Sequence, residues 1–151
     1  MRSLLTIGML LALVAAPLAA SGDTPPNSSK SLASILEGVL DAGYTDITEI
    51  SFDDGRWEIE CLKGRKSIGL SVDPQSGNVV TEYADEPHPK LPAKSKSLLN
   101  IIHRLEKSGY TPIKKAEFEV NGWEVEAMHD STWRELTLDT DGKILTDRLD
   151  D

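Results

Sequence analysis

The side chains able to do chemistry in this 151-residue chain are few and scattered. Its histidines are His88, His103 and His129, and Cys61 is its single cysteine. No His-x-x-x-His or Cys-His spacing connects them, so nothing in the spacing builds a tetrahedral zinc site. Asp139-Thr140-Asp141-Gly142 opens like a calcium loop, but the later bidentate glutamate of such a loop has no match, and a plain hairpin turn accounts for it. Cys61 lacks an activating neighbour. Glu58 with Glu60 and Glu124 with Glu126 are paired carboxylates, which would need a closed pocket to act as acid and base. No Gly-x-Ser-x-Gly elbow, phosphate loop or dinucleotide fingerprint occurs. The chain reads as non-enzymatic, with no cofactor and no metal.

What must position these residues is a repeat. Gly43-Tyr44-Thr45, Phe52 and Trp57-Glu58-Ile59-Glu60 return as Gly109-Tyr110-Thr111, Phe118 and Trp123-Glu124-Val125-Glu126, each pair 66 positions apart. One offset shared by Gly, Tyr, Phe and Trp marks a duplicated small module.

Within each copy the hydrophobic period changes once. Leu32, Ile35, Leu36 and Val39, and later Leu98, Ile101, Ile102 and Leu105, fall on one helical face. Ser31 and Ser97 stand as N-caps, and Gly43 and Gly109 as left-handed terminators. Alternation follows through Ile50 and Phe52, then Trp57, Ile59 and Cys61, then Ile68, Leu70 and Val72, with turns at Asp54-Gly55, Gly64-Arg65 and Asp73 to Gly77. Asn78 to Tyr83 is a short last strand. The second copy repeats this over 113–120, 123–129, 133–139 and 143–147, and its last turn is one residue shorter, which slips the offset to 65.

The expected fold is α+β: two tandem modules, each one helix packed on an antiparallel sheet of about four strands. Module 1 spans 31–83 and module 2 spans 96–151. Residues 84–95, with Pro87, Pro89 and Pro92, form a linker, and 21–30 a flexible leader.

Residues 1–20 read as a signal peptide: Arg2, an apolar run from Leu4 to Leu18, then small residues. That run is short of the roughly 20 residues a span needs, so no stable membrane insertion is expected after cleavage. Losing Arg2 takes the formal charge from -9 to -10. Such a surface disfavours nucleic acid and favours basic partners or cations. A periplasmic or secreted location follows, and in that oxidising setting one cysteine allows no internal disulfide.

Strand alternation places Trp57, Ile59 and Cys61, with Trp123, Val125 and Ala127, on the side under the helix. The other side carries Glu58, Glu60, Glu124 and Glu126, and in module 2 Trp133 and Glu135. Trp133 has Ser67 as its counterpart, so the repeat does not demand an aromatic there. It is either a binding anchor on a solvated face or a residue packed against the other module or the linker. These six are the candidate partner-binding residues.

The run Ile68-Gly69-Leu70-Ser71-Val72-Asp73-Pro74-Gln75-Ser76-Gly77-Asn78-Val79-Val80 resembles the PepSY domain, whose commonest signature is this strand-turn-strand. The second copy keeps Leu138, Asp139, Gly142 and Ile144 but has Thr140 in place of the proline. The arrangement is also similar to beta-lactamase inhibitory protein, which grips its target with a concave sheet surface. The resemblance implies an exported module that binds protein, such as a peptidase inhibitor or regulator, with a peptidase or envelope protein as partner. The alternative is a small-ligand or cation-binding periplasmic sensor, motivated by the excess negative charge and the Asp139 turn.

Overall fold

In the computed structural model, residues 24–27, 29–94 and 96–150 are described. The expected signal peptide, 1–20, lies outside them.

Ser31 accepts the Ser34 N–H at 3.2 Å and opens helix α1, Leu32–Asp41. Ser97 does the same from Asn100 for α2, Leu98–Lys107. Gly43 (φ 93°) and Gly109 (φ 88°) end them in the left-handed region, where a side chain would be strained. In both, the following tyrosine N–H reaches back into the last turn, Tyr44 to Val39 and Tyr110 to Leu105, which satisfies carbonyls the helix leaves open.

The strands are β1 (Thr45–Asp53), β2 (Arg56–Lys63), β3 (Lys66–Val72), β4 (Val79–Ala84), β5 (Ile113–Glu119), β6 (Gly122–His129), β7 (Thr132–Asp139) and β8 (Ile144–Leu149). They do not form two separate sheets of four. β1 pairs antiparallel with β5 through Glu49–Glu117, Ile50–Ala116 and Ser51–Lys115, giving one eight-stranded sheet in the order β4-β3-β2-β1-β5-β6-β7-β8. The sequence left open whether the two sheets join, and the joining has a simple cause: β1 and β5 would each be an exposed edge, and pairing them satisfies both rows of backbone groups. Ile50 and Ala116 are equivalent in the repeat and face each other, so a local two-fold axis passes through that pair and relates the two halves of the sheet.

Both helices lie on one face and share one core with the sheet. Trp57 (1% exposed) and Trp123 (0%) are at its centre, edge-on to Phe52 and Phe118 at 5.1 and 5.2 Å. Cys61 is buried, and burial pushes its thiol up to about 12; it is an inert packing residue, as its counterpart Ala127 suggests.

The repeated tyrosine ties each helix end to the sheet edge. Tyr44 donates to Glu82, which also binds Lys63, and Tyr110 donates to Asp147, which also binds Arg134. Lys63 and Tyr44 hold the Glu82 carboxyl below its usual range. Burial acts upward on Asp147, but Tyr110 and Arg134 outweigh it. Ahead of α1, Pro25 is buried and Lys30 donates its N–H to the Pro74 carbonyl.

Candidate functional site

The face away from the helices collects all six residues singled out above. Strand register sets the five glutamates among them in two rows across the sheet, with Trp133 beyond the rows opposite Met128. One row runs Tyr83, Gly69, Glu60, Glu49, Glu117, Glu124, Thr137 and Thr146. The other runs Thr81, Ser71, Glu58, Ser51, Lys115, Glu126, Glu135 and Arg148. Glu49 and Glu117 were not among the expected residues, because each becomes central only when β1 meets β5.

The first row holds four glutamates on four neighbouring strands, Glu60, Glu49, Glu117 and Glu124. Like charges directly opposite each other destabilise a sheet. Desolvation, then the charges of Glu117 and Glu60, raise the Glu49 carboxyl above its usual range. Glu124 is raised by desolvation and by Glu119, Glu135 and Glu117. Glu60 is also raised, chiefly by desolvation, against the opposing effect of His88. Relief is local: Lys115 Nζ lies 2.6 Å from Glu117, and Arg148 pairs with Glu135 across the strands.

Each end of the face is finished differently. In the second half Trp133 is half-buried, opposite Met128 on β6, with the Lys114 ammonium 4.7 Å from its ring centroid, a cation–π contact. Lys114 Nζ also bridges Glu126 at 2.7 Å and Asp150 at 2.8 Å. Trp133 is thus neither bare nor sealed against the other half; a lysine of its own half covers it. In the first half Ser67 replaces it, and the segment after β4 crosses instead. Pro87, His88, Pro89 and Leu91 line a cavity of about 590 Å³ with Thr48, Leu62 and Ser67.

That segment brings together groups that the spacing left apart. His88, its side chain only 5% exposed, places Nδ1 3.0 Å from Glu60 and Nε2 4.0 Å from Asp85. Glu60, Asp85 and His88 each offer a ligand atom within 4.8 Å of the others, the one such cluster among the described residues. The other histidines are elsewhere: His103 is 3.6 Å from Glu37 on α1, and His129 stacks on Tyr110. The Asp139 turn is closed on itself, since the Asp139 carboxylate accepts the N–H groups of Asp141 and Lys143. Asp73 does the same for Gln75 and Ser76, so this carboxylate locks a turn in both halves.

A signal for the missed residues was present in the repeat: Lys114 stands where the first copy has Thr48, and Asp150 where it has Asp85. Only the strand register shows that these positions converge.

Among solved structures, the chain is similar to a protein described as a lipoprotein from Clostridium difficile 630, with 11% identity over 78% of this chain and 90% of that one, at TM-score 0.42. It is also similar to a BLIP-like protein from Bacteroides fragilis NCTC 9343, with 14% identity over 85% and 89% of the two chains and TM-score 0.33. No curated protein sequence matches, and no described helix is long and apolar enough to cross a membrane. The model of the family described as "Peptidase propeptide and YPEB domain" matches residues 4–83, more than half of the chain. The sequence signature at Val72-Asp73-Pro74 and the helix-on-sheet geometry agree with that match, and the chain belongs to the PepSY family.

Proposed function

We propose that this chain is two tandem copies of the PepSY module joined edge to edge, exported to the periplasm or beyond, which bind a basic protein surface through the open sheet face. The carrying observation is the glutamate row Glu60, Glu49, Glu117 and Glu124. A fold that keeps four like charges in register bears an electrostatic cost, which an approaching cationic surface relieves. Trp133 at the side of this row supplies an aromatic anchor. None of these four glutamates lines a pocket among the described residues, which favours a reading of the face as a binding surface. The family description, with its peptidase propeptide, makes an exported peptidase the first partner to test.

The test adds the purified chain to a panel of secreted metallopeptidases and follows casein cleavage. The chain slows at least one of them, the slowing weakens as salt rises, and Glu49→Lys with Glu117→Lys reduces it at least tenfold. If no peptidase responds, peptidase regulation is ruled out. Inhibition that survives the charge reversal would move the binding surface off this face.

A further inference from the structure

The two halves of the sheet solve the same electrostatic problem with different chemistry. In the second half the carboxylates of Glu126 and Asp150 are bridged by the Lys114 ammonium. Their counterparts in the first half are Glu60 and Asp85, and the position equivalent to Lys114 is Thr48. Thr48 brings no charge, and its buried hydroxyl finds no hydrogen-bond partner among the described residues. His88 enters from the crossing segment, and its Nε2, also buried, is likewise without a partner among them. Buried polar atoms without a partner are uncommon, and two that share one cavity leave room for a water or an ion between them.

We propose that Asp85 and His88, supported by Glu60, form a binding site for a borderline divalent cation such as zinc, replacing in the first half the ammonium that Lys114 supplies in the second. His88 Nδ1 faces Glu60 at 3.0 Å and Nε2 faces Asp85 at 4.0 Å. With the proton on Nδ1 and donated to Glu60, the Nε2 lone pair points toward Asp85, the carboxylate–histidine–metal arrangement that fixes the tautomer of ligating imidazoles. The gap between Nε2 and the Asp85 oxygen is about twice a zinc bond of roughly 2.0–2.2 Å. One ion fits between them, with side-chain rotation bending the angle at the metal. Imidazole with carboxylate suits zinc and copper better than calcium or magnesium. The cavity that Thr48 and His88 share gives the ion a route in and leaves room for water to complete its coordination. Neither residue spacing nor the Asp139 turn points here, since Glu60 and His88 are on a strand and in a connecting segment.

The experiment is calorimetric titration of the purified chain with zinc chloride, with calcium chloride as the contrast, alongside imidazole nitrogen NMR that follows the three histidines separately. Wild type binds one zinc, the His88 Nε2 resonance moves while those of His103 do not, and calcium gives no comparable heat. His88→Ala and Asp85→Asn each weaken binding at least tenfold. Thr48→Lys, which installs the second half's cation, removes zinc binding, and circular dichroism checks that it remains folded. Absence of zinc heat in the wild type, with His88 seen as an imidazolium bridging the two carboxylates, overturns the proposal. So does zinc binding that His88→Ala leaves intact, or calcium binding of equal strength.

Discussion

The second half of the sheet closes its outer end with its own side chains, and the first half closes the same end with a segment of chain. In the second half Trp133, Lys114 and Asp150 fill the space above β6 and β7. In the first half Ser67 and Thr48 leave that space empty, and residues 85–91 cross it with His88 inserted. The backbone framework is nevertheless shared: Asp85 donates its N–H to the Ser67 carbonyl and Asp150 to that of Trp133. The difference teaches that duplication conserved the ladder and the core while the open face was free to diverge. It diverged most where residues 85–91 cross the first half of the sheet.

The comparison is broken most severely at Lys114, whose side chain is 15% exposed. Lys114→Thr gives the second half the first half's residue but no histidine to replace the charge, and strands Glu126 and Asp150 together. A loss of about 2 kcal/mol is expected for two charged hydrogen bonds in a partly buried setting, read as a lower urea midpoint. Stability within about 0.3 kcal/mol of wild type would mean that the bridge holds nothing.

Next in size is Trp133→Ser, the other exchange toward the first half. The ring is half-buried and loses its contact with Lys114, so about 1–2 kcal/mol is expected from lost area and cation–π attraction. Denaturant melts with Lys114→Thr, Trp133→Ser and the double variant measure their coupling; the double variant's loss should be well below the sum of the single losses because the two residues touch.

The smallest effect, and the one of opposite sign, is at Glu49. Its counterpart in the repeat is Lys115, so Glu49→Lys makes the two halves alike and breaks the glutamate row. A gain of about 0.5 kcal/mol is expected at neutral pH, within the range for cross-strand charge pairs. The gain depends on pH. The Glu49 carboxyl is raised in the folded chain, so the native state holds its proton longer than the unfolded chain, whose value is about 4.3. Stability from this group is therefore lost as pH rises from about 4.3 through the raised folded value. Glu49→Gln isolates that contribution: its advantage over wild type should be absent in acid and complete at neutral pH, as thermal melts across about pH 3–8 would record. An advantage largest in acid would contradict the burial and repulsion assigned to Glu49. Glu82 and Asp147, lowered by their partners, act in the other direction and lose their contribution as pH falls.

Most of the local structure was legible. Ser31 and Ser97 cap the helices, Gly43 and Gly109 end them, and Trp57 and Trp123 fill the core, because caps, left-handed glycines and alternating strands are short-range effects written in neighbouring residues. The outward turn of Glu58, Glu60, Glu124, Glu126, Glu135 and Trp133 followed from the same alternation. The candidate site was only half legible. Glu49 and Glu117 join it through the β1–β5 pairing, a contact between residues 68 positions apart, and His88 joins through a proline-rich segment with no periodicity to read.

The sequence alone determined the repeat, the order of helix and strands in each copy, which side chains face the core, and the acidic character of the other side. These rest on period and on the conformational limits of single residues. Only the tertiary structure decided that the two copies share one sheet, that four glutamates line up across it, and that His88 meets Glu60 and Asp85. Edge pairing and the path of a connecting segment are settled by which distant groups can satisfy one another, and that depends on where the whole chain has already placed them.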